Sequence, residues 1–291
     1  MRLVARRALA CGLAFAALLG CDGTTGTLIS LTEASGAGAG SGGAAGSAGV
    51  AGTGESSAPS WQIQLTGSFD TSFDVERYEA DLFALDAAVV QAVHAPGHTL
   101  TCYVSVGTAE PWRSDYLNIP SAAVGNALTD YPQERWLDVR SDGVREVMTQ
   151  RLALAASTGC DAVELSNLGA HLANSGFSLS QADELSYGQW LISEAHARGL
   201  TAGLSGSDDL VPLLVADADW GLTEECLAYD SCAVWQAFTK RRKPVFMIEY
   251  GSANDAPVLC PEAAKLGFSL VIKRRALDAF RVGCQAIPLK P

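Results

Sequence analysis

The chain has 291 residues, 48 % of them hydrophobic, with 32 Asp and Glu against 20 Lys and Arg, a formal net charge of −12. Without Arg2, Arg6 and Arg7 of the N-terminal segment, 17 basic residues face the same 32 acids, so the balance falls to −15. Nucleic acids and other polyanions are therefore poor partners, and a cationic or neutral ligand suits the chain better.

The first segment, MRLVARRALACGLAFAALLGC, places three arginines before an apolar run too short to span a bilayer stably. Its end, Leu18-Leu19-Gly20-Cys21, resembles the bacterial lipobox, which implies a signal over 1–20 and lipidation of Cys21. The expected location is the bacterial cell envelope, with the protein held to a membrane by its N-terminal lipid and the membrane, inner or outer, left open. From Cys21 to about residue 60 the chain is rich in Gly, Ala and Ser, with few side chains large enough to pack. Such a composition predicts a flexible tether. Residues 61–291 then have one domain's worth of chain with no second linker.

Along that domain, short apolar runs alternate with helical patterns. The strand candidates are 61–65, 78–83, 100–106, 135–139, 160–165, 200–205, 219–224, 245–250 and 268–273. Between them, Val144, Val147, Met148, Leu152 and Ala155 recur at helical spacing over 142–158. Ser180 and Asp183 form the pattern of a capping box, opening a helix that Gly199 closes. Strand–helix alternation at this length predicts an α/β fold, a (β/α)8 TIM barrel. Nine candidates are one too many, and RWLDV (135–139) is expected to lie outside the barrel. An open doubly wound sheet is the alternative, but no GxGxxG or P-loop supports it.

Of eight cysteines, six remain once Cys11 leaves with the signal and Cys21 takes lipid. An even set in an exported protein predicts disulfides. Cys226 and Cys232 are close enough for a small loop. Cys260 and Cys284 flank the last strand, and Cys102 and Cys160 lie on strands that could be neighbours; connectivity beyond Cys226–Cys232 stays open. The four histidines are scattered, so no metal or other cofactor is expected.

In a barrel, functional groups come from strand C-termini and the loops that follow. Those ends supply Asp81, Glu110, Trp112, Arg113, Asp115, Glu164, Ser166, Asn167, Glu224, Glu249 and Tyr250. Carboxylates and aromatics at one mouth suit sugars, since aromatic faces stack on pyranose rings and acids bond hydroxyls or amines.

The motifs WQIQLTG, CYVSVGTAEPWRSD, ERWLDVRS, GCDAVE, AHARGL, EECLAYDSC and IEYGS together resemble glycoside hydrolase family 114, of endo-α-1,4-polygalactosaminidase type. The resemblance implies a barrel that cleaves a galactosamine-rich exopolysaccharide without a metal, using an Asp/Glu pair. It assigns the glutamate to Glu224. The stretch that should carry the aspartate reads Val163-Glu164-Leu165-Ser166-Asn167-Leu168-Gly169-Ala170-His171, so Ser166 stands at the catalytic aspartate position. A second aspartate becomes Gly169, a tyrosine becomes His171, and a Lys-Asn pair becomes Ser205-Gly206. Hydrolysis ordinarily needs two carboxyl groups, so impaired or lost activity is expected. His171 is expected to be a packing or surface group, not a base for Ser166. Three functions follow as expectations: an envelope-anchored protein binding an amino-sugar or neutral polysaccharide on the barrel of an impaired hydrolase; an active glycosidase using Glu224 with Glu164 or Glu249; or a structural lipoprotein.

Overall fold

The computed structural model describes residues 59–284. The expected signal, Cys21 and nearly all of the tether lie outside the described residues. Among these, no helix is long and apolar enough to cross a membrane.

Twelve strands appear in chain order: β1 (Trp61–Gln64), β2 (Arg77–Asp81), β3 (Thr99–Ser105), β4 (Thr108–Ala109), β5 (Val124–Ala127), β6 (Arg135–Leu137), β7 (Ala162–Ser166), β8 (Thr201–Ser205), β9 (Trp220–Glu224), β10 (Val245–Tyr250), β11 (Ser269–Lys273) and β12 (Val282–Gly283). Six helices join them: α1 (Ala87–His94), α2 (Asp142–Thr158), α3 (Gln181–His196), α4 (Val211–Leu214), α5 (Cys232–Thr239) and α6 (Ala256–Leu266). The main sheet runs β1-β2-β3-β7-β8-β9-β10-β11-β12, parallel up to β11 and antiparallel at the short β12. Eight parallel strands therefore make the barrel. Its seam is held by Trp61 Nε1 donating to the Ser269 carbonyl, Ser269 Oγ donating to that of Pro59, and Arg281 Nε donating to that of Trp61. The barrel expected from the alternation is present, with no helix between β1 and β2.

RWLDV is the surplus candidate, and it lies outside the barrel as expected. It forms β6, the centre of a small antiparallel sheet β4-β6-β5 inserted between β3 and α2. Three residues of strand, of which only Leu137 is buried, cannot supply a barrel stave.

Helix ends follow the sequence closely. α2 stops where Gly159 turns left-handed (φ 100°) and gives its N–H to the carbonyls of Ala155 and Ala156. α3 opens on the Ser180/Asp183 capping box, with both reciprocal bonds formed.

Side-chain alternation divides the core in two. Outward residues of the strands pack under the helices, with Val163, Leu165 and Leu204 in one cluster with Tyr187 and Leu191 of α3. Inward residues form a separate cluster of Trp61, Ile63, Ala162, Trp220, Leu222, Phe246, Ile248 and Val271. Arg77 enters this inner core, its guanidinium carbon 4.2 Å from the Trp220 ring centroid and 4.7 Å from that of Phe246. Cation–π contact on two faces offsets part of its desolvation, and burial still lowers its pKa to about 10.

Three disulfides join Cys102–Cys160, Cys226–Cys232 and Cys260–Cys284, with Cα separations of 5.9, 4.8 and 5.2 Å. The first ties β3 to the segment entering its neighbour β7, and closes 58 residues of chain; the loop-entropy account gives such a bridge about 4 kcal/mol. Alkylation of unfolded, unreduced protein should therefore leave all six of these cysteines unmodified by mass spectrometry. Four or more alkylated sites would contradict the pairing.

Candidate functional site

The register across adjacent strands runs Asp81, Tyr103, Glu164, Gly203, Trp220. In a barrel of this shear each strand climbs about one residue relative to its neighbour, and alternate strands fill common layers. Glu79, Glu164 and Leu222 thus share one layer, and Asp81, Ser166 and Glu224 share the layer above, at the C-terminal mouth.

Glu224 ends β9 with the same inward parity as Trp220 and Leu222. Its carboxylate is open to solvent yet crowded by protein on the other sides. Burial raises its pKa to about 7, the Glu164 and Glu225 charges add to the rise, and the Tyr250 and Arg275 side chains oppose it. The Tyr250 hydroxyl donates to Glu224 Oε2, and the two hold one another in place between β9 and β10. Arg275 lies 4.7 Å over the Tyr250 ring and forks onto Glu225, at 2.6 and 3.1 Å.

Glu225 itself takes a left-handed conformation (φ 54°), rare for a residue of its type. It is held there by its N–H on the Ile248 carbonyl at 2.8 Å and by the arginine fork. The Cys226–Cys232 bridge closes the loop that follows.

Glu249 alternates with Tyr250, sharing the outward parity of Val245 and Met247. Its carboxylate accepts from the Leu227 N–H at 2.9 Å and anchors the β9–α5 loop from behind. The expectation that Glu249 lines the mouth is therefore corrected: strand alternation turns it away, and it positions the loop that carries Glu225.

Asp81, Glu110 and Arg113 come together as one internal ion cluster. Arg113 bonds Asp81 at 2.7 Å and takes Glu110 in a two-pronged contact at 2.7 and 2.8 Å, with all three groups largely buried. Asp115 is similarly bound by a fork from the buried Arg151, at 2.8 and 2.9 Å. These five hold the 105–115 loop onto the barrel rim, so their hydrogen bonds are largely spent within the protein. Trp112, between them, is 54 % exposed and free to stack on a ligand.

Ser166 is the last residue of β7 and is buried. Asn167, just beyond it, is left-handed (φ 66°), and its side-chain amide donates to Ser105 Oγ at 3.1 Å and to Tyr103 Oη and Thr108 Oγ1 at 3.3 Å. Thr108 in turn donates to Glu134 at 2.7 Å. Gly107 is required here: a Cβ on it would lie 1.7 Å from the Asn167 carbonyl oxygen. His171 is a packing group, with Nε2 2.7 Å from Asp209 and Nδ1 3.1 Å from the fully buried Glu184. Burial works against its positive charge, but these two carboxylates prevail and raise its pKa.

Several site residues were not singled out by sequence reasoning. Tyr131 and Glu134 come from the β5–β6 turn. Tyr131 is 59 % exposed and close enough to Glu224 to feel its charge, which together with burial raises its phenol. Glu79 sits below the mouth, fully buried. Its signal is visible in hindsight: Arg77, Glu79 and Asp81 place charges at alternate positions of one strand, the inward face of a barrel stave. Among the described residues no group of three or more His, Cys, Asp or Glu side chains could hold a metal ion.

A parallel barrel with one carboxylic acid poised near neutrality at its mouth, among further carboxylates and exposed aromatic rings, is of glycoside-hydrolase type. The chain belongs to glycoside hydrolase family GH114, whose model matches residues 44–287. Ega3 of Aspergillus fumigatus, whose crystal structure holds galactosamine, is 33 % identical over 79 % of this chain and 96 % of its own, with a TM-score of 0.75. The glycoside hydrolase domain of PelA from Pseudomonas aeruginosa shares the fold at 15 % identity, covering 77 % of this chain and 98 % of its own, with a TM-score of 0.63. An α-galactosidase from Thermus thermophilus shares it more distantly, at 11 % identity, 77 % and 60 % coverage and a TM-score of 0.52. No curated protein matches the chain.

Proposed function

We propose that this protein is an envelope-anchored member of GH114 that binds a galactosamine-rich polysaccharide in the barrel mouth and cleaves it slowly. The observation that carries the reading is Glu224, an acid that ends β9 at the barrel mouth, is held by the Tyr250 hydroxyl and has its pKa pushed up to about 7 by burial. It is oriented by Tyr250, with Glu225 and Tyr131 close enough to interact with it electrostatically. Carboxylates attract the ammonium groups of deacetylated amino sugars, and the tyrosines and Trp112 offer ring faces to stack on. Cleavage is slow because the resemblance assigns the second catalytic carboxylate to the position of Ser166, where a hydroxyl cannot carry that role. Anchoring rests on the Leu-Leu-Gly-Cys21 motif.

The test is titration calorimetry of the protein with deacetylated and N-acetylated α-1,4-galactosamine oligomers, alongside release of reducing ends. Deacetylated oligomers should bind at least tenfold more tightly, and salt should weaken them. Glu224→Gln should retain binding within a few-fold and lower the cleavage rate by about 10²-fold or more, the usual worth of a positioned acid. Because the acid must be protonated to act, the wild-type rate should fall as pH rises through about 7. Equal binding of both oligomers, or none, would overturn the reading.

A further inference from the structure

Directly below Ser166 the barrel holds two carboxyl groups in a setting that packing does not explain. Glu79 is fully buried and Glu164 is 2 % exposed. Neither oxygen of Glu79, nor Oε2 of Glu164, meets a hydrogen-bond donor. The two side chains nevertheless lie within hydrogen-bonding range of one another. Two carboxylates so placed would repel across a desolvated space; a proton on Glu79 converts the contact into a hydrogen bond to Glu164. Desolvation and the Glu164 charge push Glu79 well above the usual carboxylate range, and the opposing pull of Arg77 beneath it is smaller. The other charged or titratable groups turned toward the pair are Glu224 in the layer above and Tyr103 on β3.

We propose that Glu164 is the base of a water-attack hydrolysis at the Ser166 position, with the Glu79 carboxylic acid as the residue that orients it. The inference rests on the reading that the mouth takes an amino-sugar polymer. Glu164 and Ser166 share one face of β7, one layer apart, or about 6–7 Å along the strand. An inverting glycosidase keeps its two carboxyls far enough apart to admit a water, and Glu224 stands two strands from Glu164 and one layer above it. A deeper base below a short serine side chain provides such room. In the step, the water oxygen bonds to the anomeric carbon as its proton passes to Glu164. The glycosidic C–O bond breaks, and Glu224 gives its proton to the leaving oxygen. One displacement inverts the anomeric configuration, and exchange with solvent resets both acids.

The experiment uses the full-length protein with deacetylated galactosamine oligomers, following the first-formed anomer by NMR together with rate, binding and pH profile. The wild type should release the inverted anomer. Glu164→Gln should lose at least 100-fold in kcat while binding stays within about twofold. Glu79→Gln, whose amide still donates to Glu164, should keep kcat within about fivefold. Glu79→Leu should lower kcat at least tenfold with binding unchanged, because Glu164 then loses the donor that orients it. The infrared band of a protonated buried carboxyl, recorded in a Glu224→Gln background to remove the mouth acid, should vanish in Glu79→Gln. A retained anomer, an unaffected Glu164→Gln, or a missing infrared band overturns the proposal. Binding without any cleavage also overturns it but leaves the polymer-binding reading intact, whereas absence of binding and cleavage removes both.

Discussion

Arg113→Ala should destabilise the folded domain by about 3–5 kcal/mol, the usual loss when one partner of a buried ion pair is removed. Arg113 satisfies two carboxylates at once, Asp81 at 2.7 Å and Glu110 through a fork, and side-chain exposures of 13 % and 4 % leave those carboxylates little water to turn to. Without the guanidinium, two neighbouring negative charges remain in a poorly hydrated space. The same substitution removes a cation–π contact with Phe83, at 4.9 Å. In a domain of this size each kcal/mol corresponds to roughly 2–4 °C, so thermal unfolding should begin about 10 °C lower. Arg113→Lys should recover only part of the loss, since an ammonium cannot reproduce the planar fork. Asp81→Asn combined with Arg113→Ala should be less harmful than Arg113→Ala alone, because it removes one of the stranded charges. An Arg113→Ala protein with unchanged unfolding temperature would mean that the cluster is hydrated and that Asp81 and Glu110 remain available to ligand.

That cluster also shows where sequence reasoning stops. Asp81, Glu110 and Arg113 read as polar groups at a barrel mouth, which they are, but the sequence does not say that they face each other. The pairing depends on the 105–115 loop folding back over β2, a long-range event without local signature. Strand ends were easier to read, because a buried parallel strand needs a continuous apolar run and its end is marked by polar residues. Glu224 was legible for this reason. Glu249 was not, because β10 runs two residues past its pairing with Glu224, and one step of alternation decides whether a carboxylate faces the cavity or the loop behind it. Glu79 was hidden for the opposite reason: it lies mid-strand, where a charge is unexpected in a buried stave. Helix 142–158 and the Ser180 capping box were fully legible, since their determinants are local and periodic.

Ser166→Asp should raise the cleavage rate by about 10²-fold and change the stereochemical course. Ser166 lies in the same layer as Glu224, two strands away, and its side chain is turned inward like that of Glu164. An aspartate there would present a carboxylate at the mouth itself, across from an acid poised at about 7. Two carboxyls at that level restore the pair that glycoside hydrolysis needs. A positioned group of this kind is worth roughly 10²–10⁴-fold. The lower end is expected because Gly169, His171, Ser205 and Gly206 still differ from what the resemblance implies, and because the new charge sits above Glu164, which opposes its ionisation. The added carboxylate would fill the space through which water reaches the anomeric carbon. Attack by the aspartate followed by water then makes two displacements, and the product anomer passes from inverted to retained. If Ser166→Asp leaves both rate and anomer unchanged, the reacting sugar does not sit over β7, and the assignment of Ser166 to the catalytic position is wrong. A faster enzyme that still inverts would instead place the aspartate in the role of a better-positioned base, with Glu164 withdrawn from the chemistry but the sugar still bound between β7 and β9.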